Sequence, residues 1–458
     1  MHATSHGVQS QRIAAEARSS NAFSLFNLLT APELFDTVED LLPEHRERLY
    51  PPTETLSMFL AQSLSSDRSC QSIVNDAAVR RLQGRLPQIS THTGGFCRAR
   101  QRLPEAMVST LARKTGQIVS SRISDEWRWK GRPVRLVDGT TLTMPDTADN
   151  QVAWPQPGSQ KQGLGFPICR LVGMICLGTG ALLNAAIGPT RGKGNDEQTL
   201  LRTLLDTLER GDLILADAFY PTYFLLCELQ RRGVDGVFEQ YGARRRMSAE
   251  RRIKCLGKKD HHLELLRPKR PPWMDRETYE RTPERLIVRE CRVKGKQIVT
   301  TMLSKTQATR TELKLLYRER WQVEVDLRVI KDILGMSVLS CKTPAMVRKE
   351  IWVYLLAYNL IRMVMAKAAA ATGRCPRTLS FKHALQLWLC YLRLQPEQAC
   401  ELMPELLKLV AANKVAQRPG RVEPRAVKRR PKPFPLLTTP RETARASIRE
   451  CGHPKKAK

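Results

Sequence analysis

The chain has 458 residues and a mass of 52.0 kDa, which at about 100–200 residues per unit predicts two or three structural units. Hydrophobic residues make up 42%, which excludes a wholly disordered chain. Lys and Arg number 75 against 45 Asp and Glu, a net charge of +30, and a surplus that large calls for a polyanionic partner, most often nucleic acid.

Residues 1–22 are polar and are expected to form a flexible tail. Residues 23–130 carry repeated helical patterns such as LFNLLTAPELFDTVEDLL and PEAMVSTLARKTGQIVSSRI, punctuated by Pro51-Pro52 and Gly94-Gly95. A small helical domain is expected there. At Pro133 the pattern changes. VRLVD (134–138) is a short apolar run that ends at Asp138, and two further runs, 171–177 and 181–187, are joined by a turn with Gly178 and Gly180. Residues 196–209 have helical spacing, LILAD (213–217) reads as a buried strand, PTYFLLCELQRRG as a helix and VDGVFEQ as a strand. Strands followed by alternating helices and strands predict an α/β domain with a mixed sheet over 131–341.

Residues 243–270 interrupt that pattern with eleven Lys/Arg against three acids, and RLIVRECRV and KQIVTTML follow as strand-like runs. The expectation is a basic, strand-rich inserted subdomain over 242–303. From Thr309 the chain reads as helical to about Asn413, with a helical C-terminal region over 342–416. The segment 417–458 is expected to be a basic, disordered tail.

The 12 cysteines contain no CxxC pair, which excludes a zinc ribbon, and a disulfide framework is not expected in a chain this long. The first residues lack the apolar stretch of a secretion signal. Of two apolar stretches that invite a membrane reading, 171–188 is interrupted by Gly178-Thr179-Gly180 and Asn184, and 351–361 stops at Arg362, too short to span a bilayer. A soluble, reduced, cytoplasmic protein with no membrane partner is therefore expected.

The chemistry-bearing signal lies on the helix expected around 311–334. Tyr317, Arg320, Glu324 and Lys331 fall within one sector of roughly 100°. Val323, Leu327, Ile330 and Leu334 form the adjacent apolar stripe. Taken singly, each polar residue there is ordinarily a solvated face. Asp138 and Asp217 each close an apolar run, and taken singly each is ordinarily a turn former. Sites in α/β sheets nevertheless gather at the carboxyl ends of strands. Asp138, Asp217 and Glu324 together make a three-carboxylate cluster that needs a cation to offset its repulsion. Oxygen-only donors suit Mg²⁺, with Mn²⁺ as a substitute, and such ions promote in-line phosphoryl displacement. Arg320 and Lys331 would then contact DNA phosphates.

The sequence resembles the DDE transposases of the insertion-sequence-4 type, found in bacterial mobile elements. Their signature Tyr-x2-Arg-x3-Glu-x6-Lys is matched by YRERWQVEVDLRVIK at Tyr317, Arg320, Glu324 and Lys331. VDGTT around Asp138 is similar to the first-Asp motif and LADAFY around Asp217 to the second, with Ala218 where relatives often have Arg. The resemblance covers roughly residues 23–400. It implies a ribonuclease H-like catalytic core with a β-strand insertion, Asp138, Asp217 and Glu324 as catalytic metal ligands, and Tyr317, Arg320 and Lys331 on DNA. It further implies a dimer acting on terminal inverted repeats and target DNA in the bacterial cytoplasm, at the nucleoid. Arg244, Arg245 and Arg246 of the basic segment are expected DNA contacts. A catalytically inactive DNA-binding relative, or a metal-dependent nuclease without strand transfer, stays open as an alternative. Trp273 is expected to have an ordinary packing or surface role rather than that of the base-stacking tryptophan relatives carry in the insertion, Trp321 to pack, His261 and His262 to lie on the surface, Asp326 and Asp332 to point off the catalytic face, and Glu197 to be a first-turn helix acid.

Overall fold

Nine strands form a single sheet in the order β3-β2-β1-β4-β5-β9-β8-β7-β6 among the residues that the structure, a computed structural model, describes. Those residues are 41, 50–83, 88–192, 194–240, 251–293, 295–392, 396–415 and 437–452. The expected tail at 1–22 and the expected DNA contacts Arg244, Arg245 and Arg246 lie outside them.

The first half of the sheet is a meander that becomes parallel. Strand β1 (Val134–Thr143) pairs antiparallel with β2 (Ile168–Cys176), and β2 with β3 (Leu182–Pro189). On its other edge β1 pairs parallel with the four-residue β4 (Leu213–Ala216), and β4 with β5 (Asp235–Glu239). Every residue of β4 is buried, as expected of a strand covered on both faces. The β1–β4 pairing runs only from Val134 to Leu136. Beyond it, β1 keeps β2 alone until the backbone of Ser337–Leu339 bonds to Thr143. The open edge between those points is the floor of the cleft described below.

Asp138 therefore does not end a strand, contrary to the sequence expectation. Gly139, Thr140 and Thr141 continue β1, with Asp138 opposite Gly173 of β2. The apolar run ends where β4 ends, and the strand persists because its β2 edge is still paired.

The second half of the sheet corrects another expectation. Strands β6 (Arg252–Gly257), β7 (Asp260–Leu266), β8 (Arg285–Val293) and β9 (Lys296–Thr300) are not a separate subdomain. They extend the same sheet because β9 pairs antiparallel with β5. Continuity buries polar residues: Arg289 forms a two-bond ion pair with Asp260, and His261 is buried 3.5 Å from Glu290. His262 Nε2 lies 2.9 Å from the Leu303 carbonyl. Neither histidine is the surface residue expected from the polar run, because β7 is an inner strand.

Side-chain alternation along β1 divides the apolar interior into two layers. Leu136 and Leu142 enter a core shared with helices α1 (Pro52–Leu64), α4 (Glu105–Ser121) and α9 (Pro344–Ala371). Val137 enters the core on the opposite face, with α6 (Tyr223–Arg231). Helices α2 (Cys70–Gln83) and α3 (Gly94–Arg102) add a small core around Val74 and Phe96. Residues 196–209 are less helical than their spacing predicts: α5 is only Glu197–Arg202, and one tight turn at Leu205–Thr207 follows.

The run 351–361 is the middle of α9, 28 residues long. By length and composition α9 is the one helix among the described residues capable of crossing a membrane, yet almost all of it is buried in this fold. Arg362 does not end it. Its charge is buried against Asp326 at 2.6 Å. Helices α10 (Phe381–Tyr391) and α11 (Pro396–Ala412) pack on α9, and Arg441–Cys451 within the expected tail forms a solvent-exposed helix, supported by helix-forming residues and an Arg445–Glu442 pair.

Gly116 fixes the approach of α4 to the sheet. A Cβ there would overlap the Leu182 carbonyl and lie 2.9 Å from Asn359 Nδ2. Asn359 accepts from Leu182 N–H and donates to the carbonyls of Leu182 and Ala112, tying α9, β3 and α4 together. Gly116→Ala is expected to lower stability by about 2 kcal/mol through this overlap. Thermal unfolding would check it, and an unchanged Tm would show that the contact relaxes freely.

Candidate active site

The helix expected over 311–334 is built in three pieces. α7 (Arg310–Arg318) starts at a capping box in which Thr309 and Glu312 satisfy each other's backbone N–H groups. The chain tightens at Glu319–Val323, where N–H groups bond three residues back, and α8 (Trp321–Arg328) follows. Val329–Ile333 then widens into a π turn. These two changes of pitch re-aim the polar residues.

Tyr317 is buried rather than presented on an open face, with the charges of Arg320 and Asp217 nearby. Its hydroxyl donates to Glu239 Oε2 at 3.3 Å. Burial first, and Glu239 second, raise its pKa. Arg320 faces the cleft, with Nη2 on Glu324 Oε1 at 2.6 Å and Nη1 3.9 Å from Asp138 Oδ2. Lys331 donates from Nζ to Thr140 Oγ1 at 3.1 Å, two residues along β1 from Asp138. Asp138, Thr140, Glu324, Lys331 and Asp332 line one open cleft of about 280 Å³. Asp332 was expected to point away, and the extra residue in the π turn brings it round. Asp326 does point away, buried between Arg362 and Arg377.

The two aspartates meet through strand register. Leu136 of β1 pairs with Leu215 of β4, so two further steps bring Asp138 and Asp217 to the same level of neighbouring chains. Both project to the face that carries α8. Asp217 Oδ1 accepts the N–H of Phe219 at 2.8 Å, and Asp138 Oδ1 that of Gly139 at 2.8 Å. Asp138 is pushed up to about 6, chiefly by burial, with Asp217 and Glu197 adding repulsion and Arg320 opposing it.

The donor chemistry fits a hard divalent cation. The carboxylates supply only oxygen, Asp217 repels Asp138, and the charge now near Asp138 and Glu324 is the Arg320 guanidinium. Among the described residues, no three carboxylate, histidine or cysteine side chains converge as a closed metal site.

The family model of the transposase DDE domain matches residues 129–360, which carry Asp138, Asp217, Arg320, Glu324 and Lys331. The chain belongs to the DDE transposase family.

Two Escherichia coli sequences are similar to this chain. The transposase InsG for insertion sequence element IS4 of Escherichia coli (strain K12) is 27% identical over 410 residues, 87% of this chain and 89% of InsG. InsZ of the same strain is 29% identical over 136 residues, 30% of this chain and 44% of InsZ. A cryo-EM structure of the piggyBac transposase synaptic complex with hairpin DNA aligns over 88% of this chain and 87% of that one, with 11% identity and a TM-score of 0.43.

One contact of this DDE transposase was missed in the sequence and one tryptophan misassigned. Glu197 is the first-turn acid of α5 as expected, but its carboxylate also packs beneath Gly139, next to Asp138. Tyr220, buried, donates to Glu197 Oε2 at 3.0 Å. A glycine inside a strand, directly after an aspartate, was the available signal of close approach. Trp321, expected to pack, is exposed beside Arg320. Trp273 packs in part: Arg202 lies 4.0 Å over its ring and Phe224 meets it edge-on, at the wall of a separate cavity of about 840 Å³.

Proposed function

We propose that this chain is a transposase that cleaves DNA at the ends of its element and joins the freed ends to target DNA by metal-dependent phosphoryl transfer. The observation that carries the reading is the meeting of Asp138 and Asp217 at one level of the sheet, with Glu324 facing Asp138 across Arg320.

Asp138, Asp217 and Glu324 would hold Mg²⁺ or Mn²⁺. The bound cation supplies activation of the attacking oxygen and neutralisation of the leaving oxygen. Arg320 and Lys331 would contact DNA phosphates near the scissile bond. Tyr317, bonded to Glu239, would support the helix beside Arg320. Water displaces the 3′ oxygen at the element end, leaving a 3′-hydroxyl, which then attacks a phosphodiester of the second strand or the target. The ribonuclease H-like character of the core is supported by the half-sheet β3-β2-β1-β4-β5, with both aspartates at its centre. The helical segment 23–130 and the basic stretch with Arg244, Arg245 and Arg246 would add end binding, and two copies would bring two inverted repeats together in the cytoplasm, at the nucleoid.

The test is a DNA fragment spanning the boundary of the element that encodes this chain, incubated with full-length protein and Mn²⁺ or EDTA. Nicks at the boundary with Mn²⁺ and none with EDTA are expected. Tight binding without cleavage under either condition would favour the binding-only relative.

A further inference from the structure

Glu197 occupies a place that only a glycine can leave open. Gly139 projects from β1 on the face opposite Asp138. A Cβ at that position would lie 2.5 Å and 2.7 Å from the two Glu197 carboxylate oxygens. The carboxylate is therefore seated against the backbone of the residue that follows Asp138. It is held there from two sides: the buried Tyr220 hydroxyl donates to Oε2 at 3.0 Å, and Arg170 Nε stands 3.8 Å from Oε1. Tyr220 and Asp217 belong to the same turn, so one segment both presents the second aspartate and fixes Glu197.

This stretch of β1 is also where the strand has lost support. Its β4 partner ends at Leu136, and no backbone bond reaches that edge again before Thr143. A strand paired on one side only is held in position by what packs on its faces. Thr140 is met by Lys331 on the cleft face. Gly139 is met by Glu197 on the other.

We propose that Glu197 is a positioning residue for Asp138. Seated in the Gly139 slot, it holds the unsupported part of β1 in register with Asp217, and its negative charge strengthens the site's hold on a divalent cation. The proposal rests on the reading of Asp138 and Asp217 as cation ligands. It predicts that loss of Glu197 weakens cation binding more than it slows the reaction once the cation is saturating.

The experiment is calorimetric titration of Mn²⁺ into the DNA-free, full-length protein, followed by cleavage rates across a Mn²⁺ series. Glu197→Gln keeps the size of the side chain and an oxygen for Tyr220, but removes the charge. Gly139→Ala keeps the charge and closes the slot. Both are expected to raise the Mn²⁺ dissociation constant about tenfold, and Tyr220→Phe two- to threefold, with a smaller effect on the rate at saturating Mn²⁺. Glu277→Gln, on an exposed pair with Arg281, controls for net charge and should bind as wild type does. Wild-type Mn²⁺ affinity in Glu197→Gln would overturn the proposal alone. An equal loss in Glu277→Gln would also overturn it, since the effect would then be one of net charge. A wild-type protein that binds no Mn²⁺ would overturn the reading of the whole site. If Gly139→Ala fails to fold, Glu197→Gln and Tyr220→Phe still decide the matter.

Discussion

Asp138→Asn is expected to abolish DNA cleavage and at the same time to make the folded protein more stable. The loss follows from removing one of the carboxylates proposed to hold the cation. Charge stabilisation by a bound metal contributes several kcal/mol to such a transition state. At about 1.4 kcal/mol per tenfold, the rate should fall by roughly three orders of magnitude or more. The gain in stability follows from burial. Asp138 titrates near 6 in the fold, above the usual carboxylate value, because the cleft desolvates it. Its folded form thus holds a proton more tightly than its unfolded form does. The resulting stabilisation is full below about pH 4 and is lost as pH rises through 6, so at neutral pH the ionised carboxylate opposes folding. Asparagine removes that opposition, by about 3 kcal/mol. In EDTA at pH 7.5 the Tm of Asp138→Asn should exceed that of wild type by a few degrees, and the difference should shrink towards pH 4.5. Glu324→Gln is the contrast. Its side chain is 46% exposed and paired with Arg320 at the surface, so cleavage should be lost with little change in Tm. An Asp138→Asn protein no more stable than wild type at pH 7.5 would remove burial as the source of the raised pKa.

Asp326→Ala is expected to have the largest effect on folding. Asp326 is fully buried, Oδ1 accepts from Arg362 Nη2 at 2.6 Å, and both carboxylate oxygens accept from Arg377 Nη1 at 2.7 Å. Arg362 also donates to the Tyr358 hydroxyl, and Arg377 to the carbonyls of Leu177 and Cys176. Removing the carboxylate leaves two guanidinium groups without their counter-charge. Breaking such a cluster from one side costs about 3–5 kcal/mol. Asp326 lies two residues from Glu324 on α8, so the same change should loosen the helix that presents Glu324, and cleavage should fall with stability. Replacing all three residues with apolar side chains of similar volume should restore much of the Tm, since the cost lies in the unpaired charge. A Tm for Asp326→Ala within about 1 °C of wild type would show that water reaches the arginines.

The parts of this site that depend on chain-local pattern were legible in the sequence. The Tyr-Arg-Glu-Lys spacing located the helix, and the runs around 134, 171, 181 and 213 located four of the strands. What was not legible depends on neighbours distant in the chain. Asp138 sits within a strand because β2 continues to pair where β4 has stopped, and no local pattern reports where a partner ends. The shift that buries Tyr317 and turns Asp332 into the cleft comes from one tight and one wide turn, set by packing and not by periodicity. His261 was assigned to the surface from a basic, polar run, yet β7 became an inner strand once β8 and β6 flanked it. Glu197 was correctly assigned to a helix start and incompletely described, because its second role depends on a glycine 58 residues earlier.

Arg362 has a consequence during synthesis as well as in the folded state. α9 leaves the ribosome as a long apolar segment before α10 and α11 exist to cover it. By length and composition alone, such a segment is apolar enough to cross a membrane. An arginine in its interior opposes insertion by about 2.5–3.5 kcal/mol if it comes to lie near the bilayer centre. The residue that locks α9 to α8 in the finished protein thus also makes this segment a poorer fit to a bilayer than its length and apolar content suggest.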